Sequence, residues 1–265
     1  VNLKSDEGKA LFLRLVKTAD VLVENFRPGV MKRLGLDYPV LKDANPELIY
    51  CAISGFGQDG PWVERPAYDQ TIQGISGLMS VTGDDETGPI RTGYPVADTV
   101  GGMTAAFAIA AALNARPRGA LIDVSMLDSL LCSMGWVVSN YLVGGTPPRG
   151  HGNENPTSAP SGAFKTLDGM INIAANKDQQ WVLLTDHLGL SALRDMPDYK
   201  TREDRKANRL ALREVLETVL TQKTSETWVQ ELNAIGVPTG PILSVPDVLK
   251  SDQVASRGLL KRFDQ

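Results

Sequence analysis

Gly93-Tyr-Pro-Val-Ala-Asp-Thr-Val-Gly-Gly-Met-Thr-Ala-Ala-Phe-Ala-Ile-Ala-Ala-Ala-Leu113 is the stretch on which the reading of the fold turns. Pro95 and Val96 hold the chain extended, and from Met103 onward it is Ala-rich and uncharged, the composition of a buried helix. Asp98 then stands at a helix start, where an aspartate ordinarily caps the first turn by accepting from a free backbone N–H. Two features point past capping. Gly101 and Gly102 are expected in the first turn, where each costs up to about 1 kcal/mol of helix stability and leaves room for a ligand beside the carboxylate. The positive end of the helix also stabilises negative charge, so Asp98 is expected to stay ionised and able to act as a nucleophile.

Working outward, short β-branched runs alternate with helical spacing. Asp6–Thr18 carries Leu11, Leu15 and Val16 behind the cap candidates Ser5 and Asp6, and Asp20–Glu24 follows as a strand. Short helices around Val30–Leu34 and Tyr38–Ala44 lead to a second strand, Leu48–Ser54, and a third, Ala120–Ser125, follows the Asp98 helix. Strands alternating with helices give an α/β fold with a parallel sheet, and ligands are expected beyond the carboxyl ends of its strands. Those ends carry Asn25-Phe-Arg-Pro-Gly-Val-Met-Lys-Arg33 and Ser54-Gly-Phe-Gly-Gln-Asp-Gly-Pro61. The first brings Arg27, Lys32 and Arg33 to a helix start and the second is a glycine-rich loop, together a candidate phosphate cradle. Turn chemistry and solvated charge are the ordinary readings of the same residues. Neither segment is a P-loop or a G-x-G-x-x-G fingerprint.

Leu127–Val143 is expected as one long apolar helix with Met134, Trp136 and Tyr141 in the core. Gly144–Pro160 is rich in Gly, Pro, Asn and Thr and marks a linker or lid. The expected organisation is a large domain over 1–143, a linker over 144–160, a small α+β domain over 161–250 and a further segment over 251–265. The small domain opens with a hairpin, Gly162–Thr166 and Met170–Ala174, turned by Asp168-Gly169. Helices over Asp178–Leu188, within Arg202–Gln222 and over Ser225–Ile235 follow, the last capped by Ser225, before Pro238–Pro241 breaks the pattern.

A formal charge of −4 over 265 residues argues against a general nucleic-acid or membrane-surface role. The longest uncharged apolar run, Ala105–Leu113, is far short of the roughly 20 residues of a membrane span, so a soluble chain is expected. Cys51 and Cys132 are read as reduced core thiols, which suits a cytoplasmic location. The spacing of the two histidines, His151 and His187, matches neither a metal-ligand nor a triad pattern, so no metal site and no Ser-His-Asp hydrolase is expected.

Several of these segments occur together in the order typical of one family. Glu24-Asn-Phe-Arg-Pro-Gly29, Ile53–Pro61, Ser76-Gly-Leu-Met with Thr82-Gly83, Pro95-Val-Ala-Asp98, Val124-Ser-Met-Leu-Asp128 and Gly236-Val-Pro-x-Gly-Pro241 resemble the family III CoA-transferases, the CaiB/BaiF family, over nearly the whole chain. The resemblance implies a Rossmann-like large domain, a smaller α+β domain, and a homodimer of interlocked subunits. It also implies transfer of CoA from an acyl-CoA to a free small carboxylic acid, with CoA as substrate and no permanently bound cofactor. Asp98 matches the family's covalent catalyst. Asn25, Phe26, Arg27 and Arg33 match residues along CoA, with Ser54, Gly55, Phe56 and Gly57 on its other side, and Tyr68 and Gly101 are expected in the acyl pocket.

The family pattern also has a β-α-β unit before the position of Val1 and continues past that of Gln265. Gly150-His-Gly-Asn-Glu-Asn155 lacks the run of consecutive glycines found in formyl-CoA transferases, which argues against oxalate and formyl specificity. Two alternatives stand beside the transferase. Alpha-methylacyl-CoA racemases of the same fold pair the aspartate with a histidine, where this chain has Ala67-Tyr68-Asp69. A non-catalytic CoA-binding protein is the other.

Overall fold

In a computed structural model that describes residues 1–263, the chain divides into two compact units, Val1–Gly152 and Asn153–Gln265. The last two positions of the expected 251–265 segment lie outside the described residues. The division falls inside the stretch read as a linker, and each half of that stretch is tied to its own unit. Gly152 N donates to Gly83 O at 2.6 Å, and Asn155 N donates to Ser161 O at 2.9 Å.

The first unit runs α1 (Asp6–Val16), β1 (Val21–Glu24), α2 (Val30–Leu34), α3 (Tyr38–Ala44), β2 (Ile49–Ser54), α4 (Asp69–Ile75), α5 (Val96–Asn114), β3 (Ala120–Ser125), α6 (Met126–Ser133) and α7 (Gly135–Gly144). Its three strands form the expected parallel sheet in the order β1-β2-β3, with Val21 opposite Ile49 and Ile49 opposite Ala120. Central β2 is buried along almost its whole length, as a strand covered on both faces must be. The pleat sends Tyr50 and Ala52 into a core with Val16, Met31, Leu36, Leu41 and Leu48. Cys51 joins Ala105 and Val124 in another cluster. Ser5 caps α1 by accepting from Gly8 N, as read from the sequence.

Three expectations fail here. α5 is not a buried helix: Ala97, Gly101 and Ala105, spaced four apart, are its only buried residues, while Met103 and Phe107 are 68% and 79% exposed. Whole, it is the one single helix among the described residues long and apolar enough by length and composition to cross a membrane, a length the Ala105–Leu113 count underestimated. The helix expected over Leu127–Val143 is two, α6 and α7, bent by 76°, and Trp136 and Tyr141 are exposed instead of core. Cys51 is buried but Cys132 is exposed.

In the second unit β4 (Ser161–Lys165) and β5 (Met170–Ala174) make the expected hairpin. Thr239–Pro241, read as a breaker, is instead an edge strand, β6, antiparallel to β5. Pro is tolerated there because an edge strand leaves some N–H positions unpaired. Around this sheet lie α8 (Asp178–His187), α9 (Arg202–Ala207), α10 (Arg209–Leu220) and α11 (Ser225–Ala234), followed by α12 (Val245–Leu249) and α13 (Asp252–Ser256). The cap of α11 is Thr224, not Ser225. Leu212, Leu216 and Leu220 form one stripe of α10 and pack with Trp181, Trp228 and Leu232 in a single core.

Candidate active site

The loops after β1 and β2 are fixed by their own polar side chains. Asn25 Nδ2 donates to Ile53 O at 2.8 Å, tying the end of β1 to the end of β2, and Glu24 accepts from Phe26 N at 2.7 Å. Burial raises the Glu24 carboxyl above its ordinary value, partly offset by the bonds from Phe26 N and the Tyr50 hydroxyl. In the second loop Ser54 Oγ accepts from Gly57 N at 3.0 Å, and Asp123 of β3 accepts from Gln58 N at 2.9 Å. Gly57 has φ of +91°, which a glycine adopts without strain. Gly55 is required for a different reason: a Cβ there would stand 2.3 Å from the Ala67 Cβ.

Beyond these strand ends opens a cleft of about 660 Å³. Of the residues expected to contact ligand, Asn25, Phe26, Arg27, Ser54, Gly55, Phe56, Tyr68 and Asp98 line it. Arg33, Gly57 and Gly101 are not in its wall. The Arg33 guanidinium lies beside Gly29, and Gly57 packs by Asp123 and Ser125. Gly101 is buried against Met126, whose Cγ would be 3.1 Å from an added Cβ, so it serves helix packing. The glycine that opens onto the cleft is Gly102, with nothing within 4 Å of its Cβ direction. Both glycines stand in the second turn, because the helix begins at Val96.

Arg65 and Met126 also line the cleft and were missed from the sequence. The Arg65 guanidinium lies 4.6 Å from the Trp62 ring centre, and Trp62 meets Phe56 edge-on at 5.5 Å. Arg65 adds a second cation to Arg27 in the cleft wall, and the signal for it was present in Arg65-Pro-Ala-Tyr-Asp69 as a charged residue before an extended segment.

Asp98 is not the N-cap of α5. It is the third helical residue, after a Pro95 that offers no side-chain bond. The cap comes from Asp69 at the start of α4, whose Oδ1 accepts from Ala97 N at 2.7 Å and Asp98 N at 3.4 Å. Asp98 thus presents its carboxylate to the cleft. Burial first, and the negative charge of Asp69 second, push its carboxyl above the usual aspartate value. The positive end of a helix works in the opposite direction, favouring the ionised form on which the expectation for Asp98 rested. No cluster of metal-ligating side chains exists among the described residues.

The model of CoA-transferase family III matches residues 1–265. The chain belongs to this family. It is 40% identical to the acetyl-CoA:oxalate CoA-transferase of Acetobacter aceti, over 98% of this chain and 68% of that protein. It is 38% identical to the succinate–glutarate CoA-transferase of Agrobacterium fabrum, over 97% of this chain and 65% of that protein. The chain thus spans about two thirds of the length of these curated relatives. A crystal structure of a CAIB/BAIF family protein from Brucella suis superposes with a TM-score of 0.88 at 39% identity, over 97% of this chain and 69% of that one.

Proposed function

We propose that this chain carries the catalytic aspartate of an acyl-CoA:carboxylate CoA-transferase, with Asp98 as nucleophile. The observation that carries the reading is a carboxylate relieved of its capping role by Asp69 and lining a cleft at the strand ends whose wall also holds Arg27 and Arg65. An Asp98 oxygen attacks the thioester carbonyl carbon, the C–S bond breaks, and the CoA thiolate leaves a mixed anhydride. The thiolate then attacks the aspartyl carbon, releasing the donor acid with one oxygen from Asp98 and forming an aspartyl-CoA thioester. An acceptor carboxylate displaces the thiolate to form a second anhydride. Attack of the thiolate on the acceptor's carbonyl carbon gives the new acyl-CoA and restores Asp98.

Each step needs water kept away from the anhydride, for which the apolar wall of Phe56, Ala67 and Met126 is suited. Arg27 and Arg65 supply the positive charge a phosphate-bearing CoA requires. Relatives named for oxalate and for glutarate make dicarboxylates the acceptor class to try first, and the oxalate name lowers the weight of the missing glycine run. The uncovered apolar faces of α5 and α7 support a second copy of the chain as partner.

The test is peptide mapping after mixing with succinyl-CoA and quenching with hydroxylamine, which converts an activated aspartyl group to a hydroxamate. A hydroxamate on Asp98 is expected. An unlabelled Asp98 in protein that binds succinyl-CoA would overturn the covalent role.

A further inference from the structure

Behind Asp98 stands a polar pair that no part of the reaction uses directly. Gln73 of α4 is fully buried, a costly place for a carboxamide unless its polar atoms are paired. They are. Its Nε2 donates to Asp69 Oδ2 at 2.6 Å and Tyr94 O at 3.4 Å, and its Oε1 accepts from Thr92 N at 3.0 Å and Thr92 Oγ1 at 3.3 Å. An amide committed at both ends cannot turn over without leaving buried groups unpaired. Gln73 therefore holds one oxygen of Asp69 in a fixed place, and the other oxygen reaches the first turn of α5.

We infer that Asp69 and Gln73 are positioning residues for Asp98: they cap α5 from outside, so that the Asp98 carboxylate is held toward the cleft and not drawn back onto its own helix. An aspartate in the first turn of a helix with unsatisfied N–H groups has a competing local partner in that backbone. Asp69 removes the competitor by satisfying Ala97 N and Asp98 N itself. The same bonds join the Thr92–Tyr94 segment, α4 and the start of α5 into one rigid support, the arrangement a reacting group needs to stay within a fraction of an ångström of its target. The inference rests on the reading of Asp98 as nucleophile.

The experiment uses the full chain, succinyl-CoA and hydroxylamine, and follows the rate of Asp98 hydroxamate formation against succinyl-CoA concentration, with thermal melting as a check on folding. Asp69→Ala is expected to lose at least about tenfold in the saturating rate while KM changes less than threefold, and Gln73→Met about fivefold by the same split. Asp69→Asn keeps an oxygen for Ala97 N but turns its amide N–H2 toward the Gln73 Nε2 donor, so it is expected to lose about fivefold, as Gln73→Met does. Should Asp69→Ala melt below the assay temperature, Asp69→Glu replaces it: the charge stays, its reach changes by one methylene, and the loss expected is about three- to tenfold. A saturating rate unchanged in Asp69→Ala or Asp69→Glu, or a loss confined to KM, would overturn the positioning role while leaving Asp98 labelled. A wild-type Asp98 that never labels would instead overturn the nucleophile, and the positioning role with it.

Discussion

The unit from Asn153 gathers fifteen buried apolar side chains into one cluster, whereas Val1–Gly152 divides its own among clusters of seven, four and three. Their carboxylates differ in the same sense. Asp168, Asp186, Asp204 and Glu231 of the second unit are all held below their ordinary values, chiefly by hydrogen bonds from Ser225, Ser191, Thr201 and Lys223 respectively. In the first unit Glu24 and Asp98 are raised by burial, and only Asp84, on an exposed turn with Thr87, is lowered. One unit pairs these carboxylates and closes its core. The other keeps charges in costly places around an open cleft, the usual mark of a reacting site.

The sharpest way to break this contrast is at Asp98 itself. Asp98→Asn is expected to lower CoA exchange at least about a thousandfold, since the proposed mechanism forms its intermediates on Asp98 alone. Its melting temperature should hold or rise, because the repulsion from Asp69 is relieved. A clear drop in melting temperature would mean that Asp98 serves the fold and would dissolve the difference between the units.

In the second unit the matching probe is Trp228, 2% exposed, with its indole N–H donating to Leu220 O at 2.6 Å. Trp228→Ala is expected to cost about 3–5 kcal/mol in urea unfolding, the range for emptying a large aromatic site. A smaller probe sits in the first unit, where Gly55→Ala forces a methyl against Ala67 and is expected to cost about 1–3 kcal/mol, read by the same titration. Gly102→Ala, facing open space, serves as its helix-favouring counterpart and should not destabilise.

The smallest effect is in pH. A carboxyl raised in the folded state contributes stability that is fully present below its unfolded value and lost as pH rises through the folded value. Labelling needs the ionised form, so the acid limb of Asp98 hydroxamate formation should lie above the ordinary aspartate range, and Asp69→Asn should move it toward lower pH. An acid limb at or below the ordinary value would mean that the helix dipole prevails over burial.

Much of this was legible from local pattern. Ala120–Ser125 is a strand over the residues read for it, and the parallel order followed from helices alternating with strands. What failed was set by partners distant in sequence. Asp98 looked like a cap because caps are local, but its backbone N–H is taken by a carboxylate 29 residues earlier. Gly101 was expected in the pocket, but it shares the buried face of α5 with Ala97 and Ala105, and Gly102, one residue on, opens to the cleft. Trp136 and Tyr141 look like core by composition, yet composition does not say which neighbour covers a face.

The uncovered faces of α5 and α7, together with exposed Val245, Leu259, Leu260 and Phe263, carry a thermal consequence. The chain exposes 16366 Å². Two separate globular domains of these sizes would expose about 13,600 Å². Surface already wetted in the native state is not newly hydrated on unfolding, so it adds nothing to the heat-capacity change. That change should fall as much as about 1 kcal/mol/K below the roughly 3–4 kcal/mol/K expected for a chain of this length. The stability curve of the chain by itself is correspondingly flat, and any molecule that covers those helices will steepen it.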